Sequence, residues 1–123
     1  SLRNKLGLGN AVEFLGFVPD QILATELGSC RLFALPSKTE GSGLVFLEAM
    51  ARGRPCLGAN AGGIPEVITP ETGVLAEYGD VPGLAAAAID ALTRNWDTEA
   101  ILDRARHFSY SQFQARLNSL LTP

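Results

Sequence analysis

Glu40 and Glu48 bracket the segment Glu40-Gly41-Ser42-Gly43-Leu44-Val45-Phe46-Leu47-Glu48, the part of the chain richest in chemical meaning. Pro36-Ser37 leads in, glycines flank Ser42, and an apolar, helix-forming run follows. Glycines let a ligand approach the backbone closely. A helix that starts at Gly43 and Leu44 aims unpaired N–H groups and its positive dipole end outward. Such a place favours an anion, commonly a phosphate. The two acids cannot be the phosphate's ligands, because like charges repel. Their partners are neutral hydroxyls, as on a ribose or a sugar. A diphosphate between two hydroxyl-bearing groups is a nucleotide-sugar. Eight residues span a little over two helical turns, so both acids share one groove only if Glu40 precedes the helix.

Plainer readings stand beside this one. Glu40 would then be a solvated turn residue, Gly41 and Gly43 would serve a tight turn, and Glu48 would pair with Arg52 one turn later. Gly62-Gly63 followed by Pro65-Glu66 reads equally as a ligand loop or as a short helix start. Lys38, alone in its loop, reads as solvated, and His107 as an exposed residue near a helix C-terminus. Trp96 and Tyr78 read as packing residues at the domain edge.

The elements that must position these residues alternate. Val12–Val18 (VEFLGFV), Arg31–Leu35, Pro55–Ala59 and Gly73–Tyr78 are short apolar runs bounded by Gly, Pro or Asp, and each predicts a strand. Helices are expected from Asp20 to about Leu27, with Asp20 as N-cap, from Leu44 to Ala51, and from about Val81 to Arg94 behind an Asp80 cap with Pro82 in the first turn. A brief helical turn over Pro65–Ile68 and helices near Thr98–His107 and Ser109–Leu121 complete the set. Strand-helix alternation predicts an α/β fold: a Rossmann-like parallel sheet of four strands with helices on both faces. In open sheets of this class ligands bind beyond the carboxyl ends of the strands. Ser37–Ser42 lies at such an end.

With 123 residues, 46% of them apolar and 19% charged, the chain has the make-up of one globular domain. A net charge of -3 and singly scattered basic residues argue against a nucleic-acid surface. Cys30 and Cys56 sit among apolar neighbours and read as free thiols of a reducing, cytoplasmic compartment. No CxxC pair or His/Cys cluster suggests a metal, and no apolar run approaches the roughly 20 residues of a bilayer span. The opening Ser1-Leu2-Arg3-Asn4-Lys5-Leu6 lacks an initiator Met and reads as the end of a helix. The expectation is a piece of a longer polypeptide.

The succession FLGFVPDQ, LPSKTEGSGLVFLEAMARGRP, AGGIPEVI and ETGVLAEYGD resembles the C-terminal, donor-binding half of GT-B glycosyltransferases, particularly the retaining family four. The similarity runs from about Val12 to the last helix. Two glutamates eight apart are a weak signal alone. Set in Pro-Ser-x-x-Glu-Gly-x-Gly and followed by Glu-Ala-Met-Ala and Gly-Gly-x-Pro-Glu, they are a strong one.

That resemblance implies roles. Glu48 holds the ribose hydroxyls, and Glu40 lies by the transferred sugar at the reaction centre. The N–H groups of Gly43 and Leu44 meet the diphosphate within the donor loop of Gly41 and Ser42. Backbone groups near Phe17 and Val18 contact the base. The substrate would be an NDP-sugar, with no cofactor, and without an Asp-x-Asp motif no metal is expected. A basic diphosphate clamp, the first strands of the domain and the whole N-terminal, acceptor-binding domain come from upstream in this family and are not in this chain. Residues 1–123 would form a single, partial donor-binding domain, inactive by itself, and any peripheral membrane association would belong to the full-length enzyme only. The rival from another class is a non-catalytic nucleotide-binding or regulatory α/β module. A phospho-receiver would need an acidic cluster at strand ends, and a dinucleotide-binding half would need G-x-G-x-x-G after a strand, which does not occur.

Overall fold

The computed structural model describes residues 2–37 and 44–108. The elements follow the order α1 (Leu2–Lys5), α2 (Asp20–Ser29), β1 (Phe33–Leu35), α3 (Leu44–Met50), β2 (Cys56–Ala59), α4 (Ile64–Val67), β3 (Gly73–Ala76) and α5 (Val81–Thr93). A further helix, α6, covers residues 98–108. The helix expected over Ser109–Leu121 lies outside the described residues.

Among the described residues three strands, in the order β1-β2-β3, form one sheet. Both pairings are parallel, with Phe33 opposite Cys56 and Ala59 opposite Ala76. The fold class read from the sequence is therefore correct, but the strand count is not. Val12–Val18 forms no strand. Its composition suits one, yet a strand persists only where a neighbour completes its hydrogen-bond ladder. No described strand pairs with it, and Phe14 and Phe17 stand exposed at 72% and 104%. At the other end β3 stops at Ala76, because Glu77 accepts from the Asp80 N–H in a turn completed by Gly79 at φ 82°.

All four residues of β2 are buried. Successive strand residues point to opposite faces, so both faces of the central strand are covered. Cys56 belongs to a core shared with Phe46 and Met50 of α3, Ile64 and Val67 of α4, and Ile101 and Ala105 of α6. The ring of Phe33 meets Phe46 edge-on at 5.7 Å. α5 packs against β2 and β3.

Two glycines set how closely these layers approach. A Cβ at Gly58 would lie 2.8 Å from Ile68 and 2.9 Å from Ile64, and one at Gly73 would lie 2.1 Å from the Cys56 carbonyl oxygen. Thr72, fully buried before β3, is satisfied locally: its Oγ1 accepts from the Thr69 N–H at 2.9 Å.

The caps are chemical rather than positional. Asp80 caps α5 as expected, its Oδ1 accepting from the Gly83 N–H at 3.0 Å. The N-cap of α2, by contrast, is Pro19, whose carbonyl accepts from Ile22 and Leu23. Asp20 is the first helical residue instead, where its charge still complements the dipole.

Candidate functional site

α3 is short and apolar, and in its described part Phe46, Leu47, Ala49 and Met50 are buried while Glu48 is exposed. Helical periodicity turns that acid away from the core and toward α2. Glu48 and Arg52 form one wall of a cleft of about 490 Å³, and Asp20, Leu23, Ala24 and Leu27 of α2 form the other. Arg52 Nη1 donates to the main-chain carbonyl of Glu48 at 3.0 Å. The ion pair weighed from the sequence is thus replaced by a side-chain-to-backbone bond. No described residue makes a hydrogen bond or ion pair with the Glu48 carboxylate.

Leu44 opens α3, as the sequence indicated. Val18, half-buried, and Phe17, fully exposed, lead through Pro19 into α2 two residues ahead of the cleft-lining Asp20. Glu40, Gly41, Ser42 and Gly43, with Lys38, lie outside the described residues. Of the groove expected between Glu40 and Glu48, the described residues include the Glu48 side alone.

The carboxyl ends of the strands carry polar groups that sequence reasoning missed. Because Ala59 is opposite Ala76, Asn60 and Glu77 leave the sheet side by side. The Asn60 N–H donates to the Ala76 carbonyl at 2.9 Å, and its Nδ2 donates to Glu77 Oε1 at 3.0 Å. The loop beyond is open: Gly62 sits at φ 57°, and neither it nor Gly63 has a neighbour where a Cβ would stand. The signal that could have found Asn60 and Glu77 is positional, since each is the first polar residue after a strand. A different cleft, also of about 490 Å³, lies at the opposite end of β3 around Pro70, Gly73, Ala87 and Arg94. Its charged members Asp90 and Arg94 already pair with each other.

Both thiols are free. Burial, and then the neighbouring Cys30, pushes the Cys56 thiol up from 9.0 to about 12. Such a thiol packs and does not react. His107 is exposed on α6. Trp96, half-buried, donates from Nε1 to the Ala91 carbonyl at 2.8 Å and lies beneath the Arg94 guanidinium, which supports its packing role. Among the described residues no helix is long and apolar enough to cross a membrane.

The family model for glycosyl transferases group 1 matches residues 1–94. This chain belongs to that family. Over 115 residues it is 42% identical to an N-acetyl-alpha-D-glucosaminyl L-malate synthase of Bacillus anthracis, a match covering 93% of this chain and 30% of that protein. The sucrose-phosphate synthase of Thermosynechococcus elongatus superposes with a TM-score of 0.76 at 28% identity, over 98% of this chain and 32% of its own. Anabaena Alr3699/HepE, solved in complex with UDP and glucose, superposes with a TM-score of 0.56 at 28% identity, over 89% of this chain and 34% of its own. The chain thus spans about a third of the length of each of these proteins. Its parallel α/β architecture is theirs.

Proposed function

We propose that this chain is the donor-binding part of a retaining glycosyltransferase, which moves a hexose from an NDP-sugar to an acceptor hydroxyl. The observation that carries the reading is Glu48. Glu48 is exposed and lines a cleft, at the motif position to which the resemblance assigns the ribose, with Arg52 turned to its carbonyl instead. The UDP and glucose bound by HepE support a nucleotide-sugar as the ligand.

In this reading Glu48 accepts from the two ribose hydroxyls, and the segment from Phe17 and Val18 borders the base. Glu40 faces the hydroxyls of the transferred sugar. The N–H groups of Gly43 and Leu44, with Gly41 and Ser42 allowing close approach, receive the diphosphate at the start of α3. The acceptor hydroxyl attacks the anomeric carbon from the face that the diphosphate leaves. The departing phosphate oxygen takes the hydroxyl proton, so configuration is retained with no covalent carboxylate. The protein supplies positioning and electrostatic stabilisation of the leaving group.

A basic clamp and the acceptor domain are contributed from outside these residues, and no metal is required. The free thiols fit a cytoplasmic setting. The test is calorimetric titration of UDP, GDP and ADP into the natural polypeptide that carries this chain, before and after Glu48→Gln. One nucleotide should bind and weaken in the variant. Binding of none, or binding indifferent to Glu48, removes the assignment.

A further inference from the structure

Asp20 belongs to the wall of the Glu48 cleft that α2 supplies. It is the exposed first residue of this ten-residue helix. Among the described residues no hydrogen bond or ion pair engages its carboxylate. Leu23, Ala24 and Leu27 continue the same wall as an apolar surface on which a flat ring can lie. The first intrahelical bonds run from Ile22 and Leu23 to the Pro19 carbonyl, which leaves the N–H groups of Asp20 and Gln21 ahead of the ladder. At about 490 Å³ the cleft falls within the roughly 300–1,000 Å³ of small-molecule sites. A ribose held at Glu48 on one wall sends its base toward Asp20 on the other.

We infer that this base is guanine and the donor a GDP-sugar. A carboxylate offers two acceptors side by side and no donor. Guanine presents N1–H and its 2-amino group as two neighbouring donors, and its O6 accepts from an N–H at the start of α2. Uracil sets its single N3–H between two carbonyl oxygens. Adenine has a bare ring nitrogen beside its amino group. Either would turn a lone pair toward the Asp20 carboxylate, so bidentate, charge-assisted pairing separates guanine from both. The helix dipole alone favours an acid at this position, but it gives no preference among bases. The inference rests on the donor reading above and names its nucleotide.

The test is calorimetric titration of GDP, UDP, ADP and inosine diphosphate, which lacks the 2-amino group, into the natural polypeptide. GDP should bind best. Inosine diphosphate should bind about tenfold more weakly, the loss of one charge-assisted bond at an exposed group. Asp20→Ala should weaken GDP roughly 10- to 100-fold and bring GDP and inosine diphosphate level, whereas a purely structural Asp20 would leave their ratio unchanged. Preference for UDP or ADP, or a ratio indifferent to Asp20, overturns the inference. If UDP binds best and weakens in Glu48→Gln, the donor reading stands and guanine falls. If the guanine preference depends on Asp20 while Glu48→Gln changes nothing, guanine stands and the ribose assignment fails. Binding of no nucleotide removes both.

Discussion

Arg52 reaches back one helical turn and donates to the main-chain carbonyl of Glu48 at 3.0 Å, so the guanidinium is anchored without engaging the Glu48 carboxylate. Stability and ligand affinity are thereby separable at adjacent positions. In the natural polypeptide, Glu48→Gln should weaken nucleotide binding roughly 10- to 100-fold. A carboxylate holding two ribose hydroxyls makes charge-assisted bonds of about 1.5–3 kcal/mol each, at about 1.4 kcal/mol per tenfold. The midpoint of thermal unfolding should stay where it is. Lowered thermal stability with intact nucleotide affinity is the opposite pattern, and it would make Glu48 a structural residue.

The 123-residue chain should not transfer sugar by itself, because this reading assigns the acceptor domain and the cationic clamp to sequence beyond it. A radiolabelled-donor assay on the isolated chain should show no product above trace hydrolysis. Turnover would mean that the fold completes the site with fewer parts than proposed.

Gly73→Ala should be far more damaging than Gly58→Ala. At Gly73 the new methyl would run into the backbone oxygen of Cys56, its partner in the first pair of the β2–β3 ladder, where nothing can rotate away. At Gly58 it meets side-chain rather than backbone atoms, the Ile68 Cδ1 and Ile64 Cγ2 methyls and the edge of the Phe46 ring, which can shift by small amounts. Overpacking of that kind costs about 1–3 kcal/mol. Urea denaturation should show a measurable loss for Gly58→Ala and no cooperative transition for Gly73→Ala.

Cys56 sets a pH dependence whose sign is fixed by its burial. Its thiol stays protonated in the folded chain up to about 12, whereas the ordinary value is 9.0. Between those values the unfolded chain releases the proton first. The thiol's contribution is thus fully present below pH 9.0 and declines as pH rises toward about 12. The slope approaches about 1.4 kcal/mol per pH unit. Cys56→Ala should be less stable near neutrality yet lose this part of the alkaline decline, as read from chemical denaturation at a series of pH values.

What the sequence could reveal follows the range over which each cause acts. The Asp80 cap, Pro82 in the first turn of α5 and the exposed acid in apolar α3 were legible, because each depends on neighbours within a turn or two. The parallel sheet was legible from the alternation of elements and from the nearly all-apolar run Arg31–Leu35. Val12–Val18 misled because its residues suit a strand, while a strand is a property of two segments. The alternative of an ion pair between Arg52 and Glu48 could not be settled from the sequence, because spacing brings the two together without specifying which oxygen is taken. Asn60 and Glu77 were invisible as a pair, since their meeting is created by the register of β2 against β3.

Phe14 and Phe17, left uncovered where a strand was expected, also bear on how the chain behaves in a tube. Their rings stand in solvent together with Leu15 and, farther along, Ile22 and Leu23. Exposed apolar surface of this kind drives association. A net charge of -3 opposes it only weakly, and salt removes much of that opposition. Concentrated alone, the chain will lose monomer to self-association, and more so as ionic strength rises.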